Sequence, residues 1–357
     1  MPTLTWQKCI VADGWHNAFT DLCYWRRMYW LVYRRASNHA SGDGGVVVLR
    51  SVDLERWQQV GYLNTVGDDR DPKILAVDDR LYVYFGTITD WPDGPVQSYL
   101  STSETGTEWS PPTPVYDAGH WLWRVRRHQG SFYSPAYSFG AGEMFAESRP
   151  EPTMDLLHST DGVRWEVLSR ISRPGDRAIE GDLLFRPDGE LWCIARGQRN
   201  PETSYFYTAR PPYREWEAVD LGVKIDSPVF CELADTVFLA GRRAPGAPWI
   251  DQDGMLIDDH GQPRHLTPGS TGIFTVERGA VHPCLALPSA GDSAYPGLIP
   301  LGEERLLISY YSQHAERSGV QVAHTPHHLP DEIADLPGKS AADIYVADIL
   351  IAGLAGT

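Results

Sequence analysis

Six short segments of the sequence concentrate side chains that could bind or transform a polar ligand. They carry carboxylates, arginines, histidines and tryptophans where a purely structural repeat would carry apolar residues. Carboxylates can transfer protons, the guanidinium fork suits planar anions, and an indole ring can stack on a sugar. These residue types therefore indicate a polar site, and the tryptophans favour a sugar as part of its ligand. The segments are 15–21, 68–73, 120–124, 178–182, 226–228 and 291–297.

Within and beside these segments, several side chains are candidates for ligand binding. Trp121 and Trp123 could form a stacking wall for a sugar ring. Asp71, which precedes Pro72, is equally consistent with a turn at the start of a strand, and Asp21 with a cap of the same region. The histidines show no HxH or HxxxH spacing, so no metal is expected. The candidates are His16, Asn17, Asp21, His39, Arg70, Asp71, Trp121, Trp123 and Arg124.

The elements that position these segments follow from a repeat of about fifty residues. A tryptophan recurs at intervals of 51, 52, 56 and 51 residues. Two of these tryptophans close the pattern SxDxxxW, at 51–57 and 159–165, and a third closes a longer phrase at 101–109. Spacing this regular indicates a structural period. The tryptophans are Trp6, Trp57, Trp109, Trp165 and Trp216.

A second motif recurs between the tryptophans: an apolar strand, a polar turn and an aromatic-rich strand. Asp-Asp, Asp-Gly and Gly-Glu at the turn centres are typical of β-hairpins. Each hairpin precedes a third strand and a fourth strand led by tryptophan, so the sequence predicts an all-β, six-bladed β-propeller with four-stranded blades. The alternative, two β-sandwiches, would not produce six copies in phase. The hairpins are 22–35, 74–87, 125–138, 183–196, 230–243 and 298–311.

The propeller interpretation also predicts how the chain is organised. The strand around Trp6 has no preceding blade, so it is expected to close the last blade and to remove open sheet edges. Residues 1–357 are expected to form a single domain, with loop insertions near 245–270 and 319–342. In a propeller the first strand of each blade lines the central channel, which places the six polar segments around its mouth.

Composition and charge exclude several functional classes. The 47 acidic residues outnumber the 31 basic ones, and a net charge of -16 disfavours binding to nucleic acids and to anionic membranes. Five cysteines without a CxxC pair indicate neither a disulfide framework nor a zinc site, and no cofactor is expected. The sequence shows no leader and no membrane-spanning stretch, so we expect a cytoplasmic protein. It leaves the oligomeric state open.

The repeats and the polar segments together resemble the sialidase superfamily with its degenerate Asp-box (BNR) repeats. The resemblance rests on the SxDxxxW phrases, on Asp-Pro at 71–72 and on the six blades, and it extends over nearly the whole chain. A bacterial sialidase-like branch is similar in five further phrases. These are HNAFTDL (16–22), RDPK (70–73), WLWRV (121–125), RPPY (210–213) and YPGL (295–298).

The resemblance implies catalytic and substrate-binding residues. Sialidases carry a glutamate at the start of one inner strand and an arginine at the end of its paired strand, which matches Glu180 and Arg196. A second substrate arginine would be Arg242 or the adjacent Arg243. The nucleophilic tyrosine that opens the last blade corresponds to Tyr295. A tyrosine activated by a glutamate avoids repulsion between a carboxylate nucleophile and the substrate carboxylate, which the arginines bind.

Two positions depart from the family pattern. The first-blade arginine of the sialidase triad is replaced by the stretch His16-Asn17-Ala18, and the position of the acid/base aspartate is occupied by Gly45. Asp43, in a glycine-rich loop, is the nearest carboxylate and is assigned the acid/base role. These departures leave the identity of the sugar open.

The sequence therefore favours a sialidase-like, exo-acting glycoside hydrolase that releases a terminal sugar, expected to be acidic, from a glycan. One alternative is a polysaccharide lyase acting on uronic acids, in which His16 or Tyr295 takes the C5 proton. Another is a propeller that binds carbohydrate without cleaving it. A carbohydrate is the expected partner under all three hypotheses.

Overall fold

The regular secondary structure of the described residues consists of β-strands. The computed structural model describes residues 2–140, 142, 150–198, 203–243, 270–289, 292–313 and 341–351. The strands in these ranges combine into six antiparallel sheets, each of which is one blade. Across the same ranges, the structure contains no helix that is long and apolar enough to span a membrane.

The blades follow one another along the chain, and only β1 (Pro2–Val11) is out of order, because it belongs to the last blade. Blade 1 contains β2 (His16–Trp25), β3 (Met28–Ala36), β4 (Gly45–Ser51) and β5 (Gln58–Leu63). Blade 2 contains β6 (Gly67–Val77), β7 (Arg80–Thr89), β8 (Val96–Ser103) and β9 (Thr113–Pro114). Blade 3 contains β10 (His120–Leu122), β11 (Arg126–His128), β12 (Ser131–Ser138), β13 (Thr153–Ser159) and β14 (Glu166–Arg170).

The second half of the chain repeats this arrangement. Blade 4 contains β15 (Ala178–Phe185), β16 (Leu191–Gly197), β17 (Ser204–Ala209) and β18 (Glu217–Asp220). Blade 5 contains β19 (Ile225–Leu233), β20 (Thr236–Arg243), β21 (Thr271–Glu277) and β22 (Ala280–Ala286). Blade 6 contains β23 (Ser293–Pro300), β24 (Arg305–Ser312), β25 (Asp343–Ile351) and β1.

The predicted six-bladed propeller is confirmed, and so is closure by the N-terminal strand. β1 pairs antiparallel with β25, so the last blade takes its outer strand from the start of the chain. Blade 3 differs from the prediction in one detail, because its inner strand is broken into β10 and β11, which both pair with β12. The predicted insertions at 245–270 and 319–342 lie outside the described residues, except for residues 270, 341 and 342.

The repeating SxDxxxW phrases form turns of one kind. Asp53 Oδ1 accepts the backbone N–H groups of Glu55 and Arg56, both at 2.9 Å. Asp161 Oδ1 in blade 3 accepts the corresponding two N–H groups at 2.9 and 2.8 Å. The aspartate thus satisfies backbone donors that the turn leaves unpaired. The period seen in the sequence is therefore a structural one, and the Asp-box assignment itself stays a prediction.

Five blades share a bulge at one position of the inner hairpin. Two residues of the inner strand face a single residue of the second strand, so the ladder skips one step. The first residue of each pair has a left-handed backbone, with φ between 45° and 59°. In blade 3, Trp123 lies in the break between β10 and β11. We call the five left-handed residues the bulge residues: Phe19, Asp71, Glu180, Ser227 and Tyr295.

The bulges decide which side chains reach the propeller axis. A left-handed backbone is uncommon for residues other than glycine and costs on the order of 1 kcal/mol at each position. In a regular strand, side chains point alternately to the two faces of the sheet. A bulge bends the strand and redirects the side chain of its unpaired residue. Strained residues are often found at functional sites. Their recurrence at the equivalent position of five blades therefore indicates a functional site there. In four of the blades the following residue is proline or glycine: Pro72, Gly181, Pro228 and Pro296.

Candidate functional site

Four of the five bulge residues are joined by contacts although they belong to different blades. The Tyr295 hydroxyl of blade 6 donates a hydrogen bond to Glu180 Oε1 of blade 4 at 2.8 Å. Glu180 Oε2 accepts the backbone N–H of Ser227 of blade 5 at 2.9 Å. The ring of Phe19 of blade 1 lies 4.9 Å from that of Tyr295, and Trp123 of blade 3 lies 6.0 Å from it. The structure therefore builds one cluster from separate blades.

The contact between Tyr295 and Glu180 has the geometry of a nucleophile and its base. Both side chains are buried, with 6% and 4% of their surface exposed. Burial raises the pKa of Tyr295 well above its ordinary value, so the phenol keeps its proton at neutral pH. The carboxylate that accepts this hydrogen bond can take the proton when the phenol oxygen forms a new bond.

Two arginines predicted from the sequence meet at Asp226. Arg242 donates to Asp226 Oδ2 from Nε and Nη2 at 3.0 and 2.9 Å. Arg196 Nε lies 3.0 Å from Asp226 Oδ1, and Arg196 Nη1 donates to Glu180 Oε1 at 2.9 Å. Burial alone would raise the pKa of Asp226, but the two guanidiniums outweigh it and hold the pKa below its ordinary value. Asp226 thus fixes both arginines beside the tyrosine.

Asp292 forms hydrogen bonds with both histidines of blade 1, His16 and His39. Its Oδ2 accepts hydrogen bonds from His16 Nε2 at 2.8 Å and from His39 Nδ1, and its Oδ1 accepts the Tyr311 hydroxyl at 2.6 Å. Burial lowers the pKa of both histidines, that of His39 to about 3, so both are neutral at pH 7. The three groups present ligand atoms within 4.8 Å of one another. The Arg242 guanidinium, whose Nη1 lies 3.6 Å from Asp292 Oδ1, already places a positive charge beside the carboxylate and so disfavours a bound cation.

Arg70 and Asp71 belong to a second buried ion cluster. Arg34 Nε and Arg70 Nη1 donate to the two oxygens of Asp68 at 2.8 and 2.9 Å. The Arg70 guanidinium also lies 5.0 Å from the ring centre of Phe19. Asp71 is less well paired, because its nearest contact is 3.9 Å to Arg70 and its Oδ1 makes no hydrogen bond to a described residue. Burial raises the pKa of Asp71 to about 6.

Asp43, predicted to be the acid/base, forms hydrogen bonds within its own loop. Its carboxylate accepts hydrogen bonds from Ser41 Oγ at 2.6 Å and from Ser37 Oγ at 3.0 Å. Burial would raise the pKa of Asp43, but these hydrogen bonds lower it below its ordinary value. A proton donor needs the opposite shift. The structure thus does not bring Asp43 to the tyrosine in a form suited to the role.

Trp121 and Trp123 are core residues and do not form an open wall. They expose 3% and 1% of their surface. Trp121 stacks on Tyr137 with ring centres 5.7 Å apart, and Trp123 packs against Tyr295. No ring face is free for a sugar, so the predicted stacking role does not fit this arrangement. Trp123 instead supports the position of the Tyr295 ring.

Three other candidates make no side-chain contact with Tyr295, although Arg124 Nη2 donates to the carbonyl of the adjacent Pro296 at 3.2 Å. Asn17 Nδ2 donates to Asp13 Oδ1 at 2.8 Å and holds the start of β2. Asp21 follows the blade 1 bulge, where it accepts the backbone N–H of Ile74 at 2.9 Å and a hydrogen bond from Arg124 Nη1 at 2.7 Å. The two contacts of Asp21 join blades 1, 2 and 3.

Sequence reasoning missed Asp226, Ser227 and Asp292 as individual residues. All three lie in the polar segments at the starts of inner strands, two of them within three residues of the proline that follows the bulge residue. A pair of residues could have indicated the site: a polar residue followed by proline or glycine, near the start of an inner strand. It marks three of the bulge residues directly, namely Asp71, Glu180 and Ser227, and a tyrosine in the same setting marks Tyr295.

Solved structures share the whole architecture. A protein of unknown function from Dyadobacter fermentans superposes with a TM-score of 0.73 at 14% identity, over 98% of this chain and 99% of its own. Trypanosoma rangeli sialidase in complex with the inhibitor DANA follows with a TM-score of 0.62 at 12% identity, over 95% of this chain and 55% of its own. The fold is sialidase-like.

A phage enzyme extends this sialidase-like group. The phage phi92 endosialidase matches with a TM-score of 0.65 at 10% identity, over 98% of this chain and 70% of its own. This chain spans about half the length of the trypanosomal sialidase. No protein-family model matches the sequence, and no curated protein is significantly similar to it. At these identities the likeness establishes the fold alone.

Proposed function

We propose that the protein is a sialidase-like glycoside hydrolase that releases a terminal acidic sugar from a glycan. The observation that carries the proposal is the 2.8 Å hydrogen bond from the Tyr295 hydroxyl to Glu180, made between two strained bulge residues in a buried site. Two structural neighbours, the trypanosomal and phage proteins, are named as sialidases, which supports the same reaction class.

In the proposed reaction the Tyr295 oxygen attacks the anomeric carbon while its proton passes to Glu180. The bond to the leaving-group oxygen breaks, and that oxygen receives a proton from an acid. Water then attacks the glycosyl-tyrosine, gives its proton to the same acid, and the tyrosine recovers its own. A neutral nucleophile suits an anionic sugar, because a carboxylate would be repelled by the substrate carboxylate.

Arg196 and Arg242 bind the substrate carboxylate in this proposal. Both are anchored by Asp226, and the Arg242 guanidinium lies 5.3 Å from the Tyr295 ring centre. Neither Arg196 Nη2 nor Arg242 Nη1 makes a hydrogen bond to a described residue, so each arginine retains donors for a ligand. Guanidinium and carboxylate form paired, charge-assisted hydrogen bonds.

We assign the acid/base role to Asp71 in place of Asp43. Asp71 is a bulge residue, like Tyr295 and Glu180, and its Oδ1 lacks a hydrogen-bond partner among the described residues. Because burial raises its pKa to about 6, a substantial part of the population is protonated in mildly acidic solution. Asp43, by contrast, has a lowered pKa, and its carboxylate accepts hydrogen bonds from Ser37 and Ser41.

The experiment is turnover of a panel of fluorogenic sialosides and uronides. Tyr295→Phe and Glu180→Gln should each lower kcat by at least about 100-fold, the usual effect of losing a nucleophile or its base. Tyr84→Phe and Glu190→Gln are the controls, because the first removes a buried hydroxyl hydrogen bond elsewhere and the second neutralises a buried carboxylate that bonds Trp192 and Arg278. They should retain activity. A folded wild type that cleaves none of the panel contradicts the proposal.

An unpartnered histidine nitrogen keeps a lyase as the second candidate. His16 is neutral at pH 7 and its Nδ1 makes no hydrogen bond to a described residue, so this nitrogen is available to accept a proton such as that on C5 of a uronate. His39 does not suit the role, because a pKa of about 3 makes its imidazole a very weak base. Ultraviolet absorbance of an unsaturated product separates elimination from hydrolysis. Sugar binding that survives Glu180→Gln, without turnover by either route in the wild type, would indicate a binding propeller.

A further inference from the structure

A cavity separate from the Tyr295 cluster lies beyond the bulges along the inner strands. It has a volume of about 360 Å³ and none of the bulge residues lines it. Its wall is formed by the segments that follow the bulges in blades 1, 2, 5 and 6 and by the segment after Trp123 in blade 3. Four charged side chains line it: Asp21, Lys73, Arg124 and Arg126.

The three cations that line this cavity are not equally well paired. Arg124 Nη1 donates to Asp21 Oδ1 at 2.7 Å. Arg126 Nε donates to Asp182 Oδ1 at 2.8 Å, and a second contact joins the same two groups. Each arginine therefore has a carboxylate within hydrogen-bond distance. Lys73 has none: Asp71, Asp21 and Glu180 attract its ammonium, but none of them forms an ion pair with it.

Lys73 is buried without an ion pair. Only 2% of its surface is exposed, and no carboxylate of the described residues lies within 4.0 Å of its Nζ. Its hydrogen bond is a long one, 3.4 Å to the carbonyl of Pro72, and the amine sits 4.7 Å from the ring centre of Trp123. A buried ammonium in this state is costly unless a counterion or water joins it.

Arg124 supplies a second, independent sign of a missing partner. Its side chain is buried, and its Nε makes no hydrogen bond to a described residue. The carboxylate of Asp182 is 3.9 Å from this nitrogen, beyond hydrogen-bond length. A buried N–H without an acceptor is rare in native structures unless water or an ion supplies one. Lys73 and Arg124 thus present unused donors to the same cavity.

We propose that this cavity binds a small monovalent anion of chloride size between Lys73 and Arg124. The anion supplies the ion pair that Lys73 lacks, and it accepts hydrogen bonds from both cations. Without it, burial and the charge of Arg124 lower the pKa of Lys73 to about 8. The bound anion keeps the amine protonated. The site does not depend on the proposed hydrolase activity, because binding is measured without turnover.

The first test is thermal unfolding of the purified protein in sodium chloride. Chloride replaces gluconate at constant ionic strength, so that screening stays fixed. The wild type should show a saturable rise in Tm of about 2 °C or more, because a ligand that binds only the folded state stabilises it. Lys73→Met should lose this rise. Lys8→Met, which removes an equal charge from a partly exposed side chain, should keep it.

The outcomes decide the proposal. A Tm that rises equally in the wild type, Lys73→Met and Lys8→Met reflects a general salt effect and overturns it, as does no rise in the wild type. If Lys73→Met does not fold, crystals of the wild type grown in sodium bromide provide the second measurement. An anomalous peak within about 3.5 Å of Lys73 Nζ supports the site, and a cavity without such a peak overturns it.

Discussion

Asp71→Asn is expected to stabilise the protein at pH 7 while it impairs the proposed hydrolysis. The Asp71 side chain is buried, and its closest cation contact, to Arg70, is 3.9 Å long. Burial therefore raises the pKa of Asp71 to about 6. An ionised carboxylate in this setting destabilises the folded chain, whereas asparagine is neutral at every pH.

The size and the sign of the effect follow from two pKa values. The ordinary pKa is 3.8 and the folded-state pKa is about 6, a difference that corresponds to about 3 kcal/mol. Well below about pH 4 the carboxyl is protonated in both states. Between about pH 4 and pH 6 the folded state binds more protons than the unfolded state, so wild-type stability falls as the pH rises. The advantage of Asp71→Asn is thus below about 1 kcal/mol near pH 4 and reaches up to about 3 kcal/mol at pH 7.

Urea unfolding followed by tryptophan fluorescence, from about pH 4 to pH 8, measures this difference. Asp69 titrates in the same range because burial raises its pKa to about 6, but it is present in both proteins and cancels. In parallel, kcat is measured with a poor leaving group and with an activated aryl leaving group. Loss of the proton donor should lower kcat more for the poor leaving group.

Asp182→Asn is the matched control. Asp182 is also buried, but its carboxylate pairs with the Arg126 guanidinium and accepts the backbone N–H of Phe230 at 2.7 Å. Removing its charge leaves Arg126 unpaired, so this variant should lose about 3 kcal/mol at pH 7. The reasoning about Asp71 is wrong if Asp71→Asn is destabilised in the same way, or if its effect does not change between about pH 4 and pH 7.

Two further substitutions test the scaffold by urea unfolding. Ser227 has φ of 47°, so Ser227→Gly should stay within about 1 kcal/mol of the wild type, whereas Ser227→Val should lose about 2 kcal/mol or more. Equal effects of the two would contradict the bulge argument. Arg34→Lys should cost at least about 3 kcal/mol, because the buried guanidinium bonds Asp68 and the carbonyls of Asn38 and Ser41 and an ammonium cannot reach all three. A loss below about 1 kcal/mol would show that these bonds are dispensable.

The fold could be predicted because the repeat is carried by local features. A turn residue such as Asp53 bonds backbone groups two and three residues away, so its signal lies within one short phrase. Hairpins are local for the same reason. The broken inner strand of blade 3 was not predicted, because WLWRV is apolar and aromatic enough to suit an unbroken strand.

The candidate site was harder to predict, because its contacts join residues far apart in the chain. Tyr295 and Glu180 are separated by 115 residues, and only the family resemblance paired them. The roles of Trp121 and Trp123 were misjudged for a different reason. Strand alternation predicts which side chains face the channel, but a break or bulge shifts that alternation by one residue. Nothing in the phrase itself shows where the shift falls.

The bulge residues also bear on how such a chain can acquire new chemistry. A bulge residue makes no contribution to the hydrogen-bonded ladder of its hairpin, so a different side chain there leaves the strand register unchanged. Each of five blades thereby offers one position whose side chain can change without a change of register, among the residues that a left-handed backbone tolerates. Phe19 and Ser227 occupy two of these positions with groups that do not transfer protons at neutral pH. A library limited at Ser227 to glycine, asparagine and aspartate would place new groups at the site and keep the backbone that the propeller requires.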